Sequence, residues 1–242
     1  MFVGIIHRSW GWFADPFLMA SYTYSELCTD MANINLAVLG GIQDGETPLP
    51  DGCKTLLLLG PLEPNFWTNF KETPEFGDGS NDPMNRWSQR VITVSANQYG
   101  AQAYFPFGTT PPHPFFTWAT ASGRCWSSPV MWLVHDEAGT MVSFRGALGF
   151  DKRIELPPLP ANPCDICDDK PCLKACPVGA LTGAGYDVPA CHAYLDQPEG
   201  QECLDAGCQV RLACPISQSY GRAKEQSAFH MGYFHPAKGV TK

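Results

Sequence analysis

The sequence predicts an α+β protein in which an N-terminal α/β domain precedes a small cysteine-rich domain. The 242 residues are 44% hydrophobic and 17% charged, a composition typical of a globular chain with a sizeable core. Three of the eleven cysteines lie before residue 160, and the other eight lie between Cys164 and Cys214. Four prolines in the segment 156–163 separate the two parts, because proline disfavours both helices and central strands.

These boundaries predict an α/β domain over 1–158, a cysteine-rich domain over 159–220 and a C-terminal tail helix over 221–242. In the tail, helical character is expected over 222–234. Within the first domain, apolar runs and helical spacing predict the following elements. They are a helix over 20–35, strands over 36–42 and 55–59, a helix over 85–98, a strand over 101–107, and a hairpin of 130–135 with 141–144. In the helix over 85–98, the spacing puts Trp87, Val91 and Val94 on one side.

Charge and targeting signals narrow the range of partners and compartments. The formal net charge of −8 argues against nucleic acid as a partner, since phosphate binding needs a basic face. It permits docking onto a basic patch of a redox partner protein. No apolar stretch is long enough to cross a membrane. Arg8, Asp15 and Pro16 interrupt the apolar N-terminus, so we expect 1–20 to belong to the mature fold and the protein to be cytoplasmic.

The eight clustered cysteines predict two [4Fe-4S] clusters. They occur as Cys-x2-Cys-x4-Cys-x3-Cys-Pro from Cys164 to Cys176, as Cys191, and as Cys-x4-Cys-x5-Cys-Pro from Cys203 to Cys214. Closely spaced cysteines wrap the chain around one cluster and supply three ligands. The cysteine before the proline serves the other cluster, as in bacterial ferredoxins. The first cluster is thereby assigned Cys164, Cys167, Cys172 and Cys214. The second is assigned Cys176, Cys191, Cys203 and Cys208.

Zinc and disulfides are the alternative explanations of these cysteines. The x4 and x5 gaps exceed the common ferredoxin spacing, so looser turns are expected around each cluster. Zinc sites usually contain two separated Cys-x2-Cys pairs, and only Cys164 and Cys167 form one here. Disulfides need an oxidising compartment, which the N-terminus does not indicate.

The cysteine-rich segment resembles the ferredoxin-like domain of the epoxyqueuosine reductase family and its ferredoxin-like relatives. Corrinoid-dependent reductive dehalogenases have a related domain. The resemblance rests on Cys164-Asp-Ile-Cys167, Cys172-Leu-Lys-Ala-Cys176-Pro-Val-Gly-Ala-Leu181, Cys191-His-Ala-Tyr-Leu195 and Cys214-Pro. Upstream, Ser122-Gly-Arg-Cys-Trp126 and the segments 130–135 and 138–148 are similar to the glycine-rich segment and central hairpin of that family.

The resemblance implies a nitroreductase-like, cobalamin-binding α/β domain followed by a bacterial-ferredoxin-like domain with two [4Fe-4S] clusters. In that family the clusters supply electrons to the corrinoid, which reduces an epoxide on a tRNA nucleoside. The position of its proton-donating aspartate is Thr109 here, and a threonine does not donate a proton as a carboxylic acid does. The acidic and basic pair that follows is Phe115-Phe116 here. The resemblance therefore carries over the cluster domain but not the epoxide chemistry.

Two functions remain, and no catalytic residue is assigned for either. The first is an iron–sulfur electron-transfer protein. The second is a reductase in which the clusters supply a cobalamin, or a flavin, in the N-terminal domain. Residues considered but assigned to the core or the surface are Cys28, Cys53, Cys125, His113, His192, His230, His235, Trp118, Trp126 and Trp132. Acidic residues that flank the clusters, namely Asp165, Asp168, Asp169, Glu202 and Asp205, form a solvated face or a docking surface.

Overall fold

A computed structural model describes residues 22–45 and 47–236 as a mixed α+β protein. The expectation for 1–20 lies outside the described residues. The strands are β1 (Leu36–Gln43), β2 (Thr55–Pro61), β3 (Gln102–Tyr104), β4 (Cys125–Ser127), β5 (Leu133–His135), β6 (Gly146–Phe150), β7 (Leu181–Thr182) and β8 (Gly185–Tyr186). The helices are α1 (Tyr24–Asn33), α2 (Phe66–Lys71), α3 (Pro74–Gly77), α4 (Pro83–Tyr99), α5 (Phe115–Ala121), α6 (Val188–Leu195), α7 (Gln201–Ala206), α8 (Gln209–Ala213), α9 (Pro215–Ser219) and α10 (Lys224–Phe234). Short 3₁₀ turns cover Pro171–Leu173 and Pro198–Gly200.

An antiparallel sheet of order β1-β2-β6-β3 forms the centre of the N-terminal part. Every residue of β2 is buried, because side chains of successive residues point to opposite faces and both faces are covered. Leu57 and Leu59 belong to a core with the aromatic residues of α2 and α4. Leu56 and Leu58 belong to a second core, which includes Trp118 of α5.

The two predicted helices of the N-terminal part are present with shifted bounds. At the start of α1, Thr23 and Glu26 form a capping box, which satisfies backbone N–H groups of the first turn. Helix α4 begins two residues earlier and ends one residue later than predicted, and the left-handed conformation of Gly100 ends it. Of the three residues predicted on one side of this helix, Trp87 is buried in the core and Val91 packs partly buried against it. Val94 is 60% exposed, and Ile92 is buried in the core as well.

The predicted hairpin of 130–135 with 141–144 is wrong. Strand β5 pairs with β4, and the chain after 141 continues to β6, which inserts between β2 and β3. The reason is the buried imidazole of His135, whose Nδ1 accepts hydrogen bonds from the backbone N–H groups of Glu137 and Ala138 at 3.0 and 3.2 Å. Its Nε2 lies 2.8 Å from the carbonyl oxygen of Leu39. These hydrogen bonds close the turn that follows β5, and the segment 141–144 does not pair with β5 as a strand.

The cysteine-rich part packs directly against the N-terminal part. Val130 contacts a small core with Cys172, Leu181 and Val210. The C-terminal helix α10 packs against α7, and its Phe229 lies against Trp67 and Phe70, at ring-centroid distances of 5.2 and 6.3 Å. Within 22–45 and 47–236, no helix combines the length and the apolar character that a membrane crossing requires.

Candidate metal centre

The first set of four cysteines lines one cavity. Cys164, Cys167, Cys172 and Cys214 surround a space of about 180 Å³, together with apolar side chains such as Ile216 and Val134. Cys164 and Cys167 lie in turns after the proline-rich segment, and Cys172 lies in the 3₁₀ turn Pro171–Leu173. Cys214 directly precedes α9. The structure therefore brings together residues from the beginning and the end of the cysteine-rich segment.

The thiols of this set are close enough to interact. Burial, followed by the neighbouring thiols of Cys214, Cys172 and Cys167, raises the pKa of Cys164 to about 11. Cys214 is different. Burial opposes its ionisation, but hydrogen bonds from the backbone N–H groups of Ser217, Thr140 and Ile216 and from the Ser217 hydroxyl outweigh it and lower its pKa. The polypeptide is thus arranged to stabilise a thiolate at Cys214.

Gly139 allows its turn to pack closely against Cys214 and Ser217. Its φ of +56° lies in the left-handed region, and a Cβ added there would stand 2.5 Å from the backbone nitrogen of Ser217 and 3.1 Å from the Sγ of Cys214. Glycine is therefore the residue that fits both the backbone conformation and the space. Nearby, the backbone N–H of Thr140 donates to the Ser217 hydroxyl at 2.9 Å, which ties this turn to α9.

The second set of four cysteines lines another, larger cavity. Cys176, Cys191, Cys203 and Cys208 border a space of about 400 Å³. The backbone N–H of Ala180 donates to the Sγ of Cys176 at 3.2 Å. Burial raises the pKa of Cys203, and the thiols of Cys208, Cys191 and Cys176 raise it further. The cavity extends between α10 and the 141–143 segment of the N-terminal part.

Two guanidinium groups, those of Arg211 and Arg222, line the second cavity. The Arg211 side chain lies over the Trp132 ring, 4.5 Å from its centroid, and donates to the carbonyl oxygen of Thr140. The Arg222 side chain is only 6% exposed, and its Nε lies 3.5 Å from a carboxylate oxygen of Glu63. Burial, and then Arg222, Arg145 and Arg211, lowers the pKa of His230 to about 3. His230 therefore lies at the wall of this cavity beside the guanidinium groups of Arg211 and Arg222.

The ligand requirements of a single metal ion differ from those of an iron–sulfur cluster. Among residues 22–45 and 47–236, no three His, Cys, Asp or Glu side chains form a group that could hold a single metal ion. A single zinc ion holds its thiolates about 2.3 Å from one centre. A four-iron cluster needs four thiolates spread around its body, one for each iron. Four thiols that border a cavity, as in each set here, suit the cluster. When bound, such a cluster accepts and releases single electrons.

The remaining sequence candidates lie outside both cavities or fill the core. Thr109 is exposed in a loop, Phe115 is buried and Phe116 is 56% exposed. Cys125 is buried in the core around Trp118, and burial raises its pKa to about 12. Cys28 and Cys53 are partly buried against the two N-terminal cores. His113 stacks near Trp118, while His192 packs against Phe234 and His235.

The sequence did not identify Arg211 and Arg222 as residues of the second cavity or His135 as the residue that closes the turn after β5. It assigned Trp132 to the core. Arg211 follows Cys208 by one helical turn, so its position in the cysteine segment was a signal for a residue beside the second set. Nothing in the local sequence marks Arg222, because its contact with Glu63 joins residues far apart in the chain. Trp132 packs against the small core around Cys172 and also lines the second cavity.

A third cavity, of about 460 Å³, lies in the N-terminal part beside the proline-rich segment. Arg124 from the glycine-rich segment borders it and pairs with Asp136 and Glu137, both at 2.8 Å. Tyr24 and Cys28 of α1 border it too. A small ligand held in this cavity would contact polar side chains such as Arg124 and Tyr24.

Comparison with protein families, curated proteins and solved structures finds no match to this chain.

Proposed function

We propose that this protein is an iron–sulfur electron-transfer protein with two [4Fe-4S] clusters. Cys164, Cys167, Cys172 and Cys214 hold the first, and Cys176, Cys191, Cys203 and Cys208 hold the second. The observation that carries the proposal is the grouping of the eight thiols around two separate cavities. Because the last cysteine of each run, Cys176 or Cys214, lies with the opposite group, we assign this chain the crossed arrangement of ferredoxin-like proteins.

A one-electron redox protein is the partner we propose. The net charge of −8 favours docking against a basic face and disfavours nucleic acid. Free thiols at all eleven cysteines suit a reducing compartment such as the cytoplasm. The chain's own role is to bind the clusters, shield them from water and set their potentials through charge and hydrogen bonds.

Iron and sulfide analysis of anaerobically reconstituted protein tests this proposal. The full-length chain should contain about eight irons and about eight acid-labile sulfides per molecule (two four-iron clusters). It should also take up about two electrons from dithionite. Zinc instead of iron in protein purified without oxygen would contradict the proposal, as would a stable set of disulfides.

The third cavity favours a second candidate, a cofactor-dependent reductase. Its border includes Ser122 and Arg124, which belong to the glycine-rich segment that resembles the epoxyqueuosine reductase family. In this function the clusters supply electrons to a cobalamin, or a flavin, in the N-terminal part. The exposed Thr109 offers no acid at the expected position, so the substrate would differ from epoxyqueuosine.

Cofactor titration separates the two candidates. Cobalamin and flavin are added separately to the reconstituted protein, and the spectrum is followed during reduction. A bound corrinoid or flavin whose spectrum changes when the clusters are reduced supports the reductase. Full cluster content without binding of either cofactor supports the electron carrier. Arg124→Ala removes a side chain from the third cavity. If the protein is the reductase, this substitution should abolish cofactor binding.

A further inference from the structure

The hydroxyl of Ser217 lies between Cys214 of the first set and Thr140 of the N-terminal part. It is close enough to the Sγ of Cys214 to donate a hydrogen bond to it, and its oxygen lies 3.1 Å from the Oγ1 of Thr140. All three residues are buried. A buried hydroxyl hydrogen needs an acceptor, and two acceptors are within reach of this one.

Two further hydrogen bonds fix the position of this hydroxyl. The backbone N–H of Thr140 donates to the Ser217 oxygen at 2.9 Å. The Thr140 hydroxyl donates to the carbonyl oxygen of Arg211 at 3.3 Å. Because a hydroxyl carries a single hydrogen, that of Ser217 points either to the sulfur of Cys214 or to the hydroxyl oxygen of Thr140.

The turn at Gly139 packs closely against this group. A Cβ added to Gly139 would stand 2.6 Å from the Oγ of Ser217 and 3.1 Å from the Sγ of Cys214. Both atoms therefore lie against the same glycine. In so buried a place, a hydrogen bond to sulfur acts more strongly than it would in water.

We propose that Ser217 tunes the potential of the first cluster by donating its hydroxyl hydrogen to Cys214, and that Thr140 is a positioning residue that competes for this hydrogen. This inference rests on the proposed function. A donor to a ligating sulfur stabilises the more negative, reduced form and raises the reduction potential. The hydroxyl turns from Thr140 to Cys214 when the first set gains the electron that the one-electron partner loses. The O–H bond of Ser217 stays intact, so no proton is transferred.

A redox titration followed by electron paramagnetic resonance tests the role of Ser217. Cys172→Ala and Cys176→Ala assign the two signals to the two sets. In Ser217→Ala, the first-set potential should fall by about tenfold in the reduction equilibrium, which is about 59 mV for one electron. The backbone donors to Cys214 remain in this variant, so the shift reports the hydroxyl. Ser219→Ala removes an exposed hydroxyl from the same helix, α9, and should shift neither signal.

Thr140→Val separates the hydrogen bond from packing. Valine keeps the shape and the backbone N–H of Thr140 but removes the competing acceptor, so the Ser217 hydrogen is directed to sulfur in both redox states. The first-set potential should therefore rise. Loss of packing at this site would not shift the potential in opposite directions in Thr140→Val and Ser217→Ala.

Electron nuclear double resonance gives a second measurement on the reduced protein. A hydrogen that exchanges in heavy water should couple to the first cluster in the unchanged protein. The coupling of the hydroxyl hydrogen should be lost in Ser217→Ala and retained in Thr140→Val.

Two results would overturn the inference. One is an unchanged first-set potential in Ser217→Ala that still contains both clusters. The other is a fall of the first-set potential in Thr140→Val, which also decides the question if Ser217→Ala does not assemble its first cluster. Absence of both signals from an unchanged protein that holds no iron would instead refute the proposed function itself.

Discussion

At the scale of single residues, a few side chains determine how the cavities form. Gly139 lets the turn before β6 approach Cys214, and His135 folds the preceding turn. Neither role was visible in the sequence, because each depends on residues brought together by the fold. The cysteines themselves were visible, because their spacing alone limits which of them reach one cluster.

Replacement of Gly139 should damage the first set selectively. In Gly139→Ala the new Cβ collides with the backbone of Ser217, so the loop that carries Cys214 must move. Strain and overpacking should cost about 2–4 kcal/mol of unfolding free energy. The first-set signal should also be weakened in electron paramagnetic resonance.

Gly100→Ala is the matched control for that change. Its φ of +63° is also left-handed, but a Cβ there meets no heavy atom within 4 Å. It should cost only about 1–2 kcal/mol of unfolding free energy and leave both cluster signals unchanged. Equal effects of the two substitutions on the first-set signal would contradict the role given to Gly139.

The ion pair between Glu75 and Arg90 should make stability depend on pH. A hydrogen bond from Arg90 lowers the pKa of Glu75, and the guanidinium Nη2 lies 3.0 Å from the carboxylate. A lowered folded-state pKa gives stability that is present above the unfolded pKa and is lost as pH falls through the folded one. Glu75→Gln should therefore cost about 0.5–1 kcal/mol at neutral pH.

Chemical denaturation at neutral and acidic pH measures this difference. The two proteins should converge in unfolding free energy once the pH is below the folded pKa of Glu75. The exposed Glu72→Gln should show little effect at either pH. A loss in Glu75→Gln that is the same at neutral and acidic pH would indicate a packing effect instead of the ion pair.

At the scale of elements, periodicity predicted the strongly patterned segments. The helix α4 and the strands β1 and β2 follow from helical spacing and from buried apolar runs. The strand β6 was missed. Its residues Gly146, Ala147 and Gly149 are small, with weak strand propensity, yet it occupies the sheet between β2 and β3. Whether such a segment forms a strand depends on tertiary packing, which sequence patterns do not report.

Helix α10 connects the N-terminal core to the second set. Phe229 packs on Trp67 and Phe70, while His230 and Phe234 border the second cavity. Phe229→Ala should reduce the free energy of unfolding by about 2–4 kcal/mol. The electron paramagnetic resonance signal of the second set should also be lost before that of the first set, because α10 closes the second cavity.

Thermal unfolding together with iron analysis measures both effects. The exposed Lys224→Ala on the same helix should leave stability and iron content nearly unchanged. Loss of the first set before the second in Phe229→Ala would show that α10 does not protect the second cavity.

At the scale of the whole molecule, the chain crosses between its two cavities. The structure gathers around each cavity the same four cysteines that the spacing assigns to each cluster, while their ligation of iron stays a prediction. The contact of Arg222 with Glu63 at the second cavity could not be predicted, because these two residues are far apart in sequence.

The double variant Cys172→Ala/Cys176→Ala tests the crossed arrangement most directly. These cysteines are neighbours in one run but border different cavities. Electron paramagnetic resonance of the reconstituted, reduced protein should therefore show both cluster signals lost or altered. The control Cys164→Ala/Cys172→Ala should affect one signal only. If Cys172→Ala/Cys176→Ala leaves one signal intact, the two cysteines serve the same cluster and the account is wrong.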